Sequence, residues 1–237
     1  MNTQQISERA DAIRQRIERA AARTGRAGSE VGILPITKGH APGVVSAVAE
    51  AGFEAVGENR VAEADRKRTA LGDVDVRWHM VGHLQRNKAG SALRVFDRID
   101  SVDSVRLGRR LQLEAERADV SLVPVLVQVN AAAEEQKSGL DPAQVVEVVG
   151  RLAELSRIQV RGLMTMAPYT GDEAVLRQAF STTRECLARC QKELRGLVGR
   201  ELSMGMSNDF EIAVEEGSTQ VRLGTVLLGE RPEVRWI

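Results

Sequence analysis

Aromatic side chains are scarce in this chain: four Phe, two Trp and one Tyr among 237 residues. So few rings make a base-stacking surface for nucleic acid hard to build. Charge of either sign is not in excess, because 33 Lys and Arg balance 33 Asp and Glu. That balance argues against a basic nucleic-acid binder and against a polybasic membrane-surface protein. Cysteine is limited to Cys186 and Cys190, too few for a disulfide framework, and a reducing compartment is the simpler expectation. No apolar run approaches the roughly 20 residues of a membrane helix. The first residues, Met1 to Arg9, lack the apolar segment of a signal peptide. A cytoplasmic chain that neither crosses a membrane nor binds nucleic acid is therefore expected. Also missing are a P-loop, a dinucleotide fingerprint, a His-Glu-x2-His pair and a Gly-x-Ser-x-Gly elbow.

What is present is an alternation. The stretch from about Thr3 to Arg23 reads as a helix, with Ile6, Ala10, Ile13 and Ile17 on one face and Arg14, Arg16, Glu18 and Arg19 mostly solvated. Val31 to Thr37 is short, apolar and β-branched, a strand, and Pro42 suits the first turn of the helix after it. Strand-like segments recur at Phe53–Gly57, Arg77–Gly82, Asp97–Val102, Leu122–Asn130, Ile158–Met166, Glu201–Met206 and Gln220–Gly224. Helical segments separate them, at Arg60–Leu71, at Gln85–Leu93 and up to Ala118. A further one starts at Asp141-Pro142, with Gln144 closing a capping box, and another at a Thr170/Glu173 box. That last helix carries Leu176, Ala179, Phe180, Thr183, Leu187, Cys190, Leu194 and Leu197 on one stripe. Eight β-then-α units in this length match a (β/α)8 TIM barrel, α/β class, of usual length ~250 residues. An open doubly wound sheet is the rival. No linker breaks the pattern, so residues 1–237 read as a single barrel domain, with residues 1–25 as an extra N-terminal helix.

In a barrel, chemistry sits just after the strands. Lys38 ends the first strand, with its stem in the mouth. Partial burial lowers an ammonium pKa and makes the amine a nucleophile able to form a Schiff base. The plainer alternative is a strand-end lysine that reaches solvent or pairs with Glu58. After strand seven, Ser203 to Asn208 is small and polar and opens a helix at Ser207 or Asn208. After strand eight, Gly224-Thr225 opens a short helix. Loops at these two places often bind phosphate through backbone N–H groups, although Ser207, Asn208 and Thr225 also suit plain helix caps. If Val221 and Leu223 face the helices, Arg222 points into the barrel. A charge there needs a ligand acceptor or a carboxylate, Glu58 being one candidate. His79 and His83 sit four residues apart on a strand, about 13 Å, too far for one zinc. Cys186 and Cys190 read as inert buried thiols, and Arg66-Lys67-Arg68 as a solvated helix face.

An amine, a phosphate cradle and an inward arginine suit a phosphorylated aldehyde with a ring nitrogen, pyridoxal 5′-phosphate (PLP). A cofactor-free Schiff-base aldolase acting on a sugar phosphate fits the same pattern. The chain resembles the pyridoxal phosphate homeostasis proteins, the PLP-binding YggS/PROSC family. The residues that carry the resemblance are Thr37-Lys38, Gly57-Glu58-Asn59, Trp78 to Lys88, Lys137-Ser138-Gly139 and Arg161 to Met164. They continue with Leu202 to Asp209, Arg222 to Thr225 and Gly229-Glu230-Arg231, in order over roughly residues 30 to 231.

The resemblance implies a barrel like the N-terminal domain of alanine racemase, with Lys38 forming the internal aldimine. It implies phosphate contacts from Ser207, Gly224 and Thr225, and Arg222 facing the pyridine nitrogen. Asn59, Met166 and Ser203 would line the pocket, with His83 nearby. PLP and other B6 vitamers are the implied ligands, apo-PLP enzymes the implied recipients, and a monomer is expected. One departure stands out. The family usually reads Ser-Lys, two residues, then Pro; here Thr37 replaces the serine and one extra residue precedes Pro42, which affects the loop rather than the lysine. An arginine cannot protonate the ring nitrogen, so the ring is a weaker electron sink than one paired with Asp. The only tyrosine, Tyr169, could reach the mouth but lacks a racemase context. A carrier without robust turnover is therefore expected, with a weak amino-acid racemase as the alternative.

Overall fold

The computed structural model describes residues 1–132, 138–194, 196 and 198–231. Eight strands form one parallel sheet: β1 (Gly32–Pro35), β2 (Ala55–Glu58), β3 (Arg77–Met80), β4 (Arg98–Val102), β5 (Val123–Val129), β6 (Ile158–Thr165), β7 (Glu201–Ser203) and β8 (Gln220–Leu223). They run in the order β1-β8-β7-β6-β5-β4-β3-β2. A parallel bridge between Ile36 and Gly57, with Thr37 N donating to Gly57 O, joins β1 to β2 and closes the barrel. The (β/α)8 expectation is met.

The helices are α1 (Thr3–Ala22), α2 (Pro42–Glu50), α3 (Val61–Leu71), α4 (Ala89–Val95), α5 (Val105–Arg117), α6 (Val145–Ala153), α7 (Glu173–Glu193), α8 (Phe210–Glu215) and α9 (Thr225–Leu228). α1 precedes the first strand and packs against α2, α8 and α9. Its Ile6, Ile13 and Ile17 are fully buried, each stabilising by roughly 1.5–3 kcal/mol relative to exposure. Arg16 is less solvated than its pattern suggests: it stacks on Phe210, 4.5 Å from the ring centre, and pairs with Glu211. No helix among the described residues is long and apolar enough to cross a membrane.

Period two sorts each strand into two faces. Val123, Val125, Val127 and Val129 of β5, and Val221 and Leu223 of β8, join the apolar layer between sheet and helices. The residues between them point into the barrel. On β1 the inward series is Leu34 and Ile36, both of which a Cβ on inward-facing Gly57 would meet. Continued by two, that series reaches Lys38.

Several local expectations shift. Asp141 caps its turn by accepting from Ala143 N, but Gln144 closes no box, and α6 starts one turn later, at Val145. The cap of α7 is Asp172, which accepts from Ala174 N and Val175 N; Thr170 accepts from Asp172 N instead. The helix after β7 starts at Phe210, because Ser207 to Asp209 form a turn first. Leu197 and Lys137 lie outside the described residues.

Candidate functional site

Lys38 sits half-buried where β1 gives way to α2. Among the described residues its ammonium has no hydrogen-bond or ion-pair partner. Burial holds its pKa below the ordinary lysine range. The cations Arg231 and Arg222 push the same way, against a smaller pull from Glu58 and Glu63. The amine therefore gives up its proton more readily than an ordinary lysine, on a group that faces the barrel mouth. The expected alternative partner, Glu58, faces the opposite side of the wall. It accepts from Lys67 Nζ at 2.6 Å and from Thr37 Oγ1 at 2.7 Å.

The loop after Lys38 turns through Gly39 at φ +77°, with His40 N donating to Thr37 O at 3.1 Å. His40 is buried, and that burial lowers its pKa. The stem of Arg231 crosses this turn, its Cδ 2.9 Å from where a Cβ on Gly39 would sit. Sequence reading gave Arg231 no role.

Arg222 is 4% exposed and points into the barrel. It donates through one nitrogen to the carbonyl and hydroxyl oxygens of Ser203, at 2.5 and 2.9 Å, and through the other to Thr165 O at 2.6 Å. No carboxylate pairs with it among the described residues. Desolvation pushes its pKa down to about 10, with Asp100 and Asp209 opposing from a distance. It remains a cation at neutral pH. The suggested ion pair with Glu58 does not form.

The loops after β7 and β8 are stitched together. Arg222 N donates to Gly205 O at 2.9 Å, and Val226 N, in the first turn of α9, donates to Ser207 Oγ at 3.3 Å. Gly205 has φ +95°, and a Cβ there would lie 2.6 Å from Ala213 Cβ and 2.9 Å from Phe210 Cα. Only glycine fits. Asp209, buried and raised in pKa by that burial, accepts from Met206 N at 2.5 Å and fixes the same loop. The sequence reading missed this role, although Asp209 stood three residues after Met206 in the quoted motif.

Lys38, Ser203, Ser207, Arg222, Gly224 and Thr225 therefore occupy neighbouring strand ends, and Met166 follows Thr165, whose carbonyl holds Arg222. Asn59 continues the inward series from Gly57 and packs tightly on Gly82, where a Cβ would meet Asn59 O at 2.3 Å. His83 sits further out. Its side chain is 53% exposed and lies 3.2 Å from Asp103 Oδ2 and 3.2 Å from Ser138 Oγ. It lines a cleft of about 510 Å³ with Asn59, Met80 and Leu84, and nothing brings it to Arg222.

Elsewhere, expectations divide. His79 lies at the other end of the barrel, 3.5 Å from buried Asp100. Among the described residues no three His, Cys, Asp or Glu side chains gather as a metal site. Cys186 and Cys190 are free, buried thiols whose pKa rises with burial, that of Cys190 to about 11. Tyr169 is 93% exposed and does not enter the mouth. Lys67 is 2% exposed rather than solvated, because Glu58, Glu63 and Thr37 O surround it.

Comparison with known proteins gives this geometry a context. The family model for the alanine racemase N-terminal domain matches residues 9–232. A pyridoxal phosphate homeostasis protein of Aquifex aeolicus is 38% identical over 224 residues, covering 94% of this chain and 97% of that one. Its Escherichia coli K12 counterpart is 34% identical over 223 residues, with 92% and 94% covered. PipY of Synechococcus elongatus, solved with PLP bound, superimposes at a TM-score of 0.83 and 35% identity, covering 94% of this chain and all of that one. Alanine racemase from Corynebacterium glutamicum shares the fold, at a TM-score of 0.70 and 18% identity, over 98% of this chain and 62% of that one. On this barrel and these relatives, the chain belongs to the pyridoxal phosphate homeostasis protein family.

Proposed function

We propose that this chain binds pyridoxal 5′-phosphate with Lys38 as its covalent anchor and serves PLP homeostasis, buffering the cofactor or delivering it to apo-enzymes. The observation that carries the reading is the half-buried Lys38 amine, without a partner among the described residues, held below its ordinary pKa and facing the same mouth as Arg222. PLP supplies an aldehyde, which a neutral primary amine captures reversibly with loss of one water.

The residues present fit such a group. Among the described residues Arg222 is a buried cation bonded to neutral oxygens alone, a costly arrangement that a ring-nitrogen acceptor would offset. Ser207, Gly224 and Thr225 stand at two adjoining turns, where hydroxyls and backbone N–H groups suit a phosphate. Gly205 and Gly82 leave room where any side chain would collide. Asn59, Met166 and Ser203 would line the ring, with His83 at the rim. Other B6 vitamers would use the same contacts. Every named residue comes from one barrel spanning the chain as a single domain, so a monomer suffices. The cytoplasm suits the free thiols of Cys186 and Cys190.

Two features support a carrier over a catalyst. Arg222 keeps its proton at neutral pH, so it does not protonate the ring nitrogen. The exposed position of Tyr169 leaves no tyrosine opposite Lys38 to serve as a second acid or base. The test is an absorbance spectrum of the purified protein before and after borohydride, with mapping of the modified peptide. Yellow colour and a reduced adduct on Lys38, both lost in Lys38→Ala, are expected. Colour and adduct persisting in that variant would refute the assignment. In deuterated water, loaded protein should leave the α-protons of a broad L-amino-acid panel unexchanged; rapid exchange would favour the racemase alternative.

A further inference from the structure

Lys67 was expected on a solvated face. Instead it is buried behind the barrel wall, on α3, and its ammonium makes three bonds: to Thr37 O at 2.7 Å, Glu58 Oε1 at 2.6 Å and Glu63 Oε1 at 2.8 Å. Three donors meet three acceptors, so the group is fully used. Thr37 immediately precedes Lys38. Glu63 Oε1 also accepts from the backbone N–H of Gly39, the residue after Lys38, at 2.6 Å. Thr37 Oγ1 donates to Glu58, which completes the loop of contacts. Both peptide flanks of Lys38 are thus tied to one ammonium on a different element.

We propose that Lys67 is a positioning residue for Lys38, clamping the β1–α2 turn from behind so that the amine stays aimed into the barrel mouth. The inference rests on Lys38 being the PLP anchor. Burying an ammonium with two carboxylates costs more than packing apolar side chains of similar volume. Glu58 adds to that cost, because its second oxygen is buried without a partner. A cluster this expensive is poor as a stabiliser, and its bonds converge on the turn that carries Lys38. That turn needs support, because it contains a glycine at φ +77°. Without the clamp, a lysine at the end of a four-residue strand can swing its long stem toward solvent.

The test uses full-length protein freed of ligand, with the variants Lys67→Met and Glu63→Ala. Three quantities are measured: hydrogen exchange at the Gly39 amide, the rate at which added PLP becomes borohydride-trappable on Lys38, and the affinity for pyridoxamine 5′-phosphate. Trapping reports the bond between Lys38 Nζ and the aldehyde carbon, formed as the carbonyl oxygen leaves in water. Pyridoxamine 5′-phosphate has the phosphate and ring but no aldehyde. In both variants we expect Gly39 exchange to rise at least tenfold while β5 amides stay protected. PLP capture should slow at least fivefold, and pyridoxamine 5′-phosphate affinity should stay within twofold. If Lys67→Met does not fold, Glu63→Ala carries the test, since it leaves the Lys67–Glu58 pair intact. Unchanged Gly39 exchange with unchanged capture would overturn the clamp, as would an equal loss of pyridoxamine 5′-phosphate binding. A wild-type protein that never traps PLP on Lys38 would instead refute the binding reading itself.

Discussion

One nitrogen of Arg222 donates to both the carbonyl and the hydroxyl oxygen of Ser203, a strand away, at 2.5 and 2.9 Å. The contact locks a cation under the barrel mouth using, among the described residues, neutral acceptors only. Two opposing terms follow for Arg222→Met. Ser203 O and Thr165 O lose a donor, at about 1–3 kcal/mol each, while the penalty of burying an unpaired charge disappears. The terms largely cancel, so the stability of ligand-free protein should change by no more than about 2 kcal/mol. On the proposed binding mode PLP binding should fall much further, because the ring nitrogen would lose its donor and Lys38 loses a cation that lowers its pKa. Urea unfolding and PLP titration of the variant separate the two effects. A large stability loss with PLP affinity unaltered would contradict this account.

Arg231 offers a cleaner reading of the Lys38 amine, because it is exposed. It is the first cation, after burial itself, that lowers the Lys38 pKa. Removing a nearby positive charge makes protonation easier, so Arg231→Met should raise the pKa. The capture rate follows the neutral fraction of the amine, and its pH midpoint should therefore move to higher pH in the variant. Salt should move the wild-type midpoint in the same direction, since it screens an exposed charge. Stopped-flow absorbance across pH, at two ionic strengths, measures both. A midpoint that stays put in Arg231→Met would remove Arg231 from the site.

The site's framework was legible where strand periodicity decides it. Lys38 continues Leu34 and Ile36, Asn59 continues Gly57, and Arg222 alternates with Val221 and Leu223, so each inward direction follows from period two. The loops after β7 and β8 were legible from small polar residues and glycine. Lys67 was not. Three consecutive cations on a helix point about 100° apart, so one can face inward, but only the strand residue Glu58 and the carbonyl of Thr37 show which one. Asp209 was hidden for a similar reason. It immediately precedes α8 but caps nothing with its side chain, spending its carboxylate on Met206 N, a bond set by the turn rather than by spacing. The Thr170/Glu173 box failed because Asp172, two residues later, is a better acceptor at the start of α7.

Ser207 bridges the two turns by accepting from Val226 N. Hydrogen bonds to a charged group contribute roughly 1.5–3 kcal/mol, about tenfold or more in affinity. Ser207→Ala should therefore weaken PLP by about that factor, and Thr225→Ala should act in the same direction. Pyridoxal, which lacks the phosphate, should bind wild type and variants alike. Equal losses for PLP and pyridoxal would place Ser207 outside the phosphate contact.

Gly205 makes a steric prediction. At φ +95° an L side chain is strained, and its Cβ would approach Ala213 Cβ to 2.6 Å and Phe210 Cα to 2.9 Å. Both neighbours belong to α8, so relief requires moving that helix. Gly205→Ala should cost roughly 2–4 kcal/mol, combining backbone strain with overpacking. PLP affinity should fall as well, because Gly205 O anchors Arg222 N. Thermal unfolding within a degree or two of wild type would show that the turn relaxes without cost.

The far end of the barrel carries the acid sensitivity. Asp100 is fully buried, and burial alone would raise its pKa. His79, 3.5 Å away, and Arg98, whose Nε donates to Asp100 Oδ1 at 2.5 Å, outweigh that effect and hold it below the ordinary carboxylate value of 3.8. A carboxyl lowered in the folded state contributes stability that is present above its unfolded pKa and lost as pH falls through the folded value. Glu58 and Asp209, both raised by burial, act with the opposite sign. The difference between wild type and Asp100→Asn isolates Asp100 from them. At pH 7 the variant leaves Arg98 with Glu201 as its remaining ion-pair partner, and it should be less stable by about 1–3 kcal/mol. As pH drops below 3.8 the wild-type advantage should shrink, because the unfolded chain takes up a proton on Asp100 before the folded barrel does. Urea unfolding of both proteins at pH 7 and pH 3 gives the two differences. If they are equal, folding does not shift the Asp100 pKa, and an advantage that grows at pH 3 would mean the native carboxyl is held above its ordinary value.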